Sequence, residues 1–229
     1  MLSNLGVLYC KAKDLNKAEG AFAESVTIYR RLAKEDATAY LPELAKTLND
    51  LGNSYGSKQR PEQIEAAFTE SLTIYRRLAK ENAAYRSGVA RTLSDLGELY
   101  RNRKRLNEAE ARLIESLAIC RDLAKENAAY LPFVAGTLNA LSMLYTEAKR
   151  LKEAETASIE CLTIRRELVK ANPTTYGDDL ARSLLSMVIA SRKTRAQDCA
   201  LAEEAVRVAV GSELTGTAAS MKKRVCRAK

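Results

Sequence analysis

The chain has 229 residues, a formal net charge of +8, and no histidine or tryptophan. Ten glycines and four prolines sit among abundant Ala, Leu, Glu, Lys and Arg, a helix-forming composition without strand-like alternation. The missing imidazole removes the commonest general base and metal ligand, there is no Gly-rich phosphate loop, and the carboxylates are scattered along surfaces, so the sequence argues against an enzyme, a metal site or any other cofactor.

All ten tyrosines fall into three columns that recur every 45 or 46 residues: Tyr9, Tyr55, Tyr100 and Tyr145; Tyr40, Tyr85, Tyr130 and Tyr176; Tyr29 and Tyr75. Such a period marks repeats that cannot bury their apolar faces alone and stack on one another. The first copy opens with Leu2-Ser3-Asn4-Leu5-Gly6, read as part of a helix A, followed by a helix B ending in Glu24 to Glu35. In the second copy Leu44, Leu48, Leu51, Gly52 and Tyr55 share one helix face, with Pro42 expected to open the helix. Its helix B carries Ile64, Ala67, Phe68, Ser71, Leu72, Tyr75 and Leu78, is opened by Pro61, and is stopped by Asn82. Leu93-Ser94-Asp95-Leu96-Gly97 and Leu138-Asn139-Ala140-Leu141-Ser142 mark helix A of the third and fourth copies. A fifth copy begins at Leu184-Leu185-Ser186-Met187 and decays. The B helices are expected over about 61 to 81 and 106 to 126, and no strand is expected.

The expected domain organisation is a solenoid over 1–210, with repeats at about 1–38, 39–83, 84–128 and 129–174 and a degenerate one at 175–210. Residues 211–229 form a basic tail or capping helix. Five basic residues and no acid lie from Thr215 onward, leaving +3 for residues 1–214. The tail could touch nucleic acid or another acidic partner, but a solvated helix end explains it more simply, and the nearly balanced body argues against nucleic acid. No apolar run approaches the length of a membrane span, and Met1 to Cys10 reads as half a repeat helix instead of a signal peptide, so the default compartment is the cytoplasm. Cys10, Cys120, Cys161, Cys199 and Cys226 have no metal-ligand spacing. They are expected to pack as small apolar groups without a disulfide framework, Cys161 taking the place of Ser25, Ser71 and Ser116.

Leu51-Gly52 followed by Tyr55, the small Ala18, Ala109 and Ala154, Phe22 and Phe68 one turn later, and Ser25, Ser71 and Ser116 together resemble the tetratricopeptide repeat over about 1 to 194. The Leu-Asn-Asp-Leu-Gly wording and long helices look most like its extended kinesin-light-chain type. The usual period of that family is about 34 residues. The 11 extra residues are very nearly three helical turns, which keeps each apolar face in phase. The resemblance implies an all-α, right-handed superhelical α-solenoid of tandem helix-turn-helix units.

It further implies a protein-interaction scaffold that binds an extended peptide or partner protein, with no small-molecule substrate, in a concave groove lined by the A helices. The candidates on that face are Asn4, Lys11, Lys46, Asn49, Asn53, Arg91, Ser94 and Asn139. Asn suits the role because its side chain both donates to and accepts from an extended backbone. Each of these could equally be a solvated polar side chain, and Asp50 and Asp95 could pair with Lys46 and Arg91 at i, i+4. Two other readings stand beside this one. The chain could self-associate as a weak homo-oligomer through Leu2, Leu5 and Leu8, or it could bind an acidic partner through the tail.

Overall fold

The computed structural model describes residues 2–12, 14–55, 60–190 and 195–226. The chain forms two compact units, Met1–Ile119 and Cys120–Lys229. In the first lie α1 (Leu2–Lys11), α2 (Leu15–Glu35), α3 (Ala37–Tyr55), α4 (Pro61–Glu81), α5 (Arg86–Asn102) and the start of α6 (Leu106–Glu126). In the second lie the end of α6, then α7 (Leu131–Glu147), α8 (Leu151–Ala171), α9 (Pro173–Ala190), α10 (Arg195–Val208) and α11 (Ser212–Cys226). No strand occurs among the described residues. Odd-numbered helices up to α9 are the A helices, and α4 and α6 occupy the spans expected for helix B. Ser57, expected on the groove face, and residues 191–194 lie outside the described residues.

The joint from each B helix to the next A helix is short, one residue at Asp36 and Asn172 and four residues beginning with Asn82 and Asn127. The backbone N–H of Asp36, Asn82, Asn127 and Asn172 closes the preceding helix on Leu32, Leu78, Leu123 and Leu168, at 2.8–2.9 Å. The side chain of the same residue accepts from Ala39, Ala84, Ala129 and Thr175 N–H groups at 2.9–3.0 Å. A single Asx side chain thus satisfies donors that a helix start leaves orphaned. This cap places the start of α3 at Ala37, so Pro42 does not open the helix as expected but lies inside it. In the third and fourth copies a single 3-10 turn, Ala83–Tyr85 or Ala128–Tyr130, precedes helix A.

The A-to-B turns repeat as well. After α5 and α7 the chain passes through Lys104 at φ 60° and Lys149 at φ 61°. Arg105 N–H and Arg150 N–H then reach back to the Tyr100 and Tyr145 carbonyls at 2.9 and 2.8 Å. This is the left-handed helix stop that usually takes glycine. The guanidinium so placed covers the tyrosine ring, 4.1 Å from the Tyr100 centroid and 4.4 Å from that of Tyr145.

Within each pair, helix A offers helix B a flat spot. A Cβ at Gly6 would lie 2.6 Å from the Phe22 ring, one at Gly52 2.6 Å from Phe68, and one at Gly97 2.6 Å from Leu113. In the fourth copy the same contact becomes Ser142 Oγ against Ser158 Oγ, 2.5 Å apart. A second contact fixes the pairing: Ser71 Oγ donates to the Ala45 carbonyl and Ser116 Oγ to that of Ala90, both at 2.7 Å. Cys161 Sγ keeps this bond to the Ala135 carbonyl at 3.2 Å, as its column predicts.

Successive B helices are tied by bidentate ion pairs. Arg30 holds Glu70 and Arg76 holds Glu115 in the first unit, and Arg121 holds Glu160 and Arg166 holds Glu204 in the second. The arginines are roughly half exposed, so each pair contributes ~0.2–1 kcal/mol and acts mainly as a register mark.

Two further expectations are corrected. Ala128–Glu147, 20 residues of mean hydropathy 1.2, is long and apolar enough to cross a membrane. Its apolar side chains include Val134, Leu138, Leu141 and Leu144, all buried inside the protein. Cys199 and Cys226 form a disulfide that closes α11 onto α10, and Cys10, Cys120 and Cys161 are free. The expectation of no bridge rested on spacing alone, and the pair lies 27 residues apart in sequence. Helix α11 packs Leu214, Ala218 and Met221 into the core of the second unit, and Lys222 pairs with Glu203 at 3.1 Å. Residues 227–229 lie outside the described residues. On α1, Leu5, Val7 and Leu8 are exposed.

Candidate functional site

Helices α3 and α5 lie side by side, and most of the polar residues singled out from the sequence fall on this pair. Lys46 and Asn53 on α3 are exposed, whereas Arg91 and Ser94 on α5 are half-buried. Asn4 and Lys11 are exposed on α1. Asn139 sits on α7 in the second unit and is half-buried.

Asn49 is in a different situation: it is fully buried. Its Nδ2 donates to Thr92 Oγ1 at 2.9 Å, while the Thr92 hydroxyl donates to the Gly88 carbonyl at 2.9 Å. The amide therefore ties α3 to α5. Asn139 does related work in the second unit, where its Oδ1 accepts from Ser183 Oγ of α9 at 3.2 Å. Two of the recurring asparagines are stacking residues, which the outward half of the helical pattern concealed.

Beside the Asn49–Thr92 pair, the cleft between α3 and α5 encloses about 480 Å³. Ile64, Phe68 and Leu99 supply its apolar lining, and Asn53, Asp95, Glu98 and Asn102 its polar edge. Asn53 stands near Asp95 and draws its pKa down, while Asp95 Oδ2 is buried without a hydrogen-bond partner, and so is Asp50 Oδ2. Burial pushes the Asp95 carboxyl up to about 7, with Glu98 and Asp50 adding to the effect and Arg91 opposing it. Asp50 is raised by burial too, against the pull of Arg91 and Lys46. Arg91 is shared, since its charge also acts on the Tyr75 hydroxyl. Arg103 at the edge is neutralised by Glu62 and Glu65, each at 3.0 Å. The cleft is thus acidic.

Of the residues lining the cleft only Asn53 was singled out in advance as a binding candidate. The available signal was Asp50 and Asp95, acids recurring one position before a buried leucine where a solvated face would not need them. Among the described residues one group could be considered for a metal ion, Cys199, Glu203 and Cys226. Its two sulfurs are joined to each other in the disulfide, which leaves no thiolate to ligate.

The family model described as the tetratricopeptide repeat matches residues 1–77, 43–122 and 88–167. Comparison with curated proteins finds no match. Among solved structures, BtubC (BKLC) from P. vanneervenii superposes with a TM-score of 0.73 at 18% identity, over 92% of this chain and 82% of that one. A thermophilic tetratricopeptide protein of Thermus thermophilus matches with a TM-score of 0.48 at 17% identity, over 96% of each chain. The BtubC likeness is one of fold. Three overlapping matches to one repeat, set on the helix pairs described above, make the assignment: the chain belongs to the tetratricopeptide repeat family, whose helical arrays act in general as protein-interaction scaffolds.

Proposed function

We propose that this chain is a non-catalytic scaffold that binds an extended segment of a partner protein along the face lined by its A helices. The observation that carries the reading is the cleft between α3 and α5, where side chains able to donate and accept stand around an apolar floor. Asn4, Lys11, Lys46, Asn53, Arg91 and Ser94 are the contact residues of this reading, while Asn49 joins α3 to α5 and Asn139 joins α7 to α9. A reducing cytoplasm suits it only with Cys199 and Cys226 as thiols, because such a bridge persists in oxidising compartments.

A photo-crosslinking residue placed at Asn53 should trap a partner polypeptide from an extract of the source cells. The same residue at Arg77, on exposed helix B surface, should not. Replacing Asn53, Arg91 and Ser94 together by Ala should weaken capture by well over tenfold at about 0.5–1.5 kcal/mol for each lost hydrogen bond. Capture from Arg77 alone, with the triple variant unimpaired, would move the site to the B-helix face.

A further inference from the structure

We propose that the cleft between α3 and α5 receives the charged end of a lysine or arginine side chain, presented by a basic extended segment of the partner. This rests on the reading of the A-helix face as the binding face and adds the chemistry of what it binds.

Four features of the cleft point to a cation. Its edge carries Asp95 and Glu98, and the arginine there, Arg103, is already occupied by Glu62 and Glu65. Of the two acids at its edge, Asp95 has its Oδ2 buried with no donor, an arrangement that costs free energy until a donor arrives. The basic side chains around the carboxylates are Arg91, whose charge also acts on Tyr75, and Lys46, which is exposed. Finally, Ile64, Phe68 and Leu99 provide an apolar wall of the kind along which the methylenes of Lys or Arg lie while the charged head reaches polar groups. An acidic segment would meet repulsion from Asp95 and Glu98, and a purely apolar one would leave Asp95 Oδ2 unpaired.

Proton linkage supplies a signature that simple packing lacks. The titratable and charged groups facing Asp95 are Arg91 and Glu98 on its own helix and Asp50 on α3, with Glu62, Glu65 and Arg103 across the cleft. A bound cation favours the ionised carboxylate, so binding should release a proton and strengthen as pH rises through the range where Asp95 titrates.

The test is a nuclear magnetic resonance titration of the full chain with capped pentapeptides, Gly-Ser-Lys-Ser-Gly and its Arg, Glu and Met counterparts. Lys and Arg peptides should produce saturable shifts at Asn53, Asp95 and Glu98, with affinity increasing between about pH 6 and pH 8. Asp95→Asn should weaken the Lys peptide about tenfold and remove the pH dependence. Glu98→Gln, on an exposed side chain, is the second variant and should weaken it less. Circular dichroism establishes that both variants fold. If the Glu and Met peptides shift the same residues equally, the cation assignment is overturned while the A-helix face stands. If saturable shifts map only to B-helix surface such as Thr73 and Arg77, or none occurs with any peptide, both readings fall.

Discussion

Replacing Gly52 by Ala tests the packing logic of the repeat most directly, because two effects of similar size oppose each other. Alanine in a helix interior gains about 1 kcal/mol over glycine. At Gly52, however, the new Cβ would sit 2.6, 2.9 and 3.1 Å from three ring carbons of Phe68. Carbon atoms rest about 3.5–4.0 Å apart, so α3 and α4 must separate by roughly 1 Å. Phe68 is only 3% exposed and has nowhere to swing. Overpacking of this kind costs about 1–3 kcal/mol, which leaves a net loss of up to ~2 kcal/mol. Gly20 on α2 is exposed with nothing within 4 Å of a new Cβ, so Gly20→Ala keeps its full gain of ~1 kcal/mol. Urea denaturation followed by circular dichroism should show the two substitutions shifting the midpoint in opposite directions. In a Phe68→Ala background the ring is gone, and Gly52→Ala should become stabilising. A Gly52→Ala variant as stable as Gly20→Ala, or one equally destabilised with and without the Phe68 ring, would refute the account of the glycine column.

Asn49→Ala should lower stability by ~1–3 kcal/mol through the lost Thr92 bond and the vacated volume, against under ~0.5 kcal/mol for exposed Asn53→Ala in the same denaturation assay. The folded-state pKa of Asp95 is raised to about 7, so the native protein binds the extra proton. Its contribution is fully present below the unfolded value near 4 and is lost as pH rises through 7, a decline of about 2–4 kcal/mol at most that Asp95→Asn should flatten in melts run from pH 4 to 8. Reducing Cys199–Cys226 should destabilise α10 and α11 by ~2–4 kcal/mol and speed amide exchange in α11 without altering exchange in α4, as mass spectrometry would report.

The repeat was legible because its apolar positions combine a 3.6-residue stripe with a 45-residue period, and noise rarely satisfies both. Gly52, Phe68 and Ser71 could be placed on facing helices from their columns alone. The polar half of helix A was harder to read. A helix in a stack touches its own B helix and also a neighbouring A helix, so its buried arc is wider than the single stripe of a surface helix. Asn49 falls in that extra arc, and a buried amide with a partner looks in sequence like a solvated one. The Arg–Glu ladder was hidden because its partners stand about 40 residues apart, one on each of two similar helices. The acidity of the cleft was hidden because Arg103, which would balance it, is claimed by Glu62 and Glu65 of another helix. Pro42 misled because proline is usually a helix opener, whereas here Asp36 provides the stronger start.

The short joint between each B helix and the next A helix restricts how such a chain can change length. An amino acid added within helix A after Asn82 advances the rest of that helix by about 100° about its axis, at 3.6 residues per turn. Gly97 would then turn away from Leu113, and Ala90 from Ser116. A small insertion or deletion at these places therefore breaks the packing contacts, whereas adding or removing a whole repeat such as that bearing Leu93 to Gly97 would restore every one of them. Length can change without loss of packing only in units of one copy.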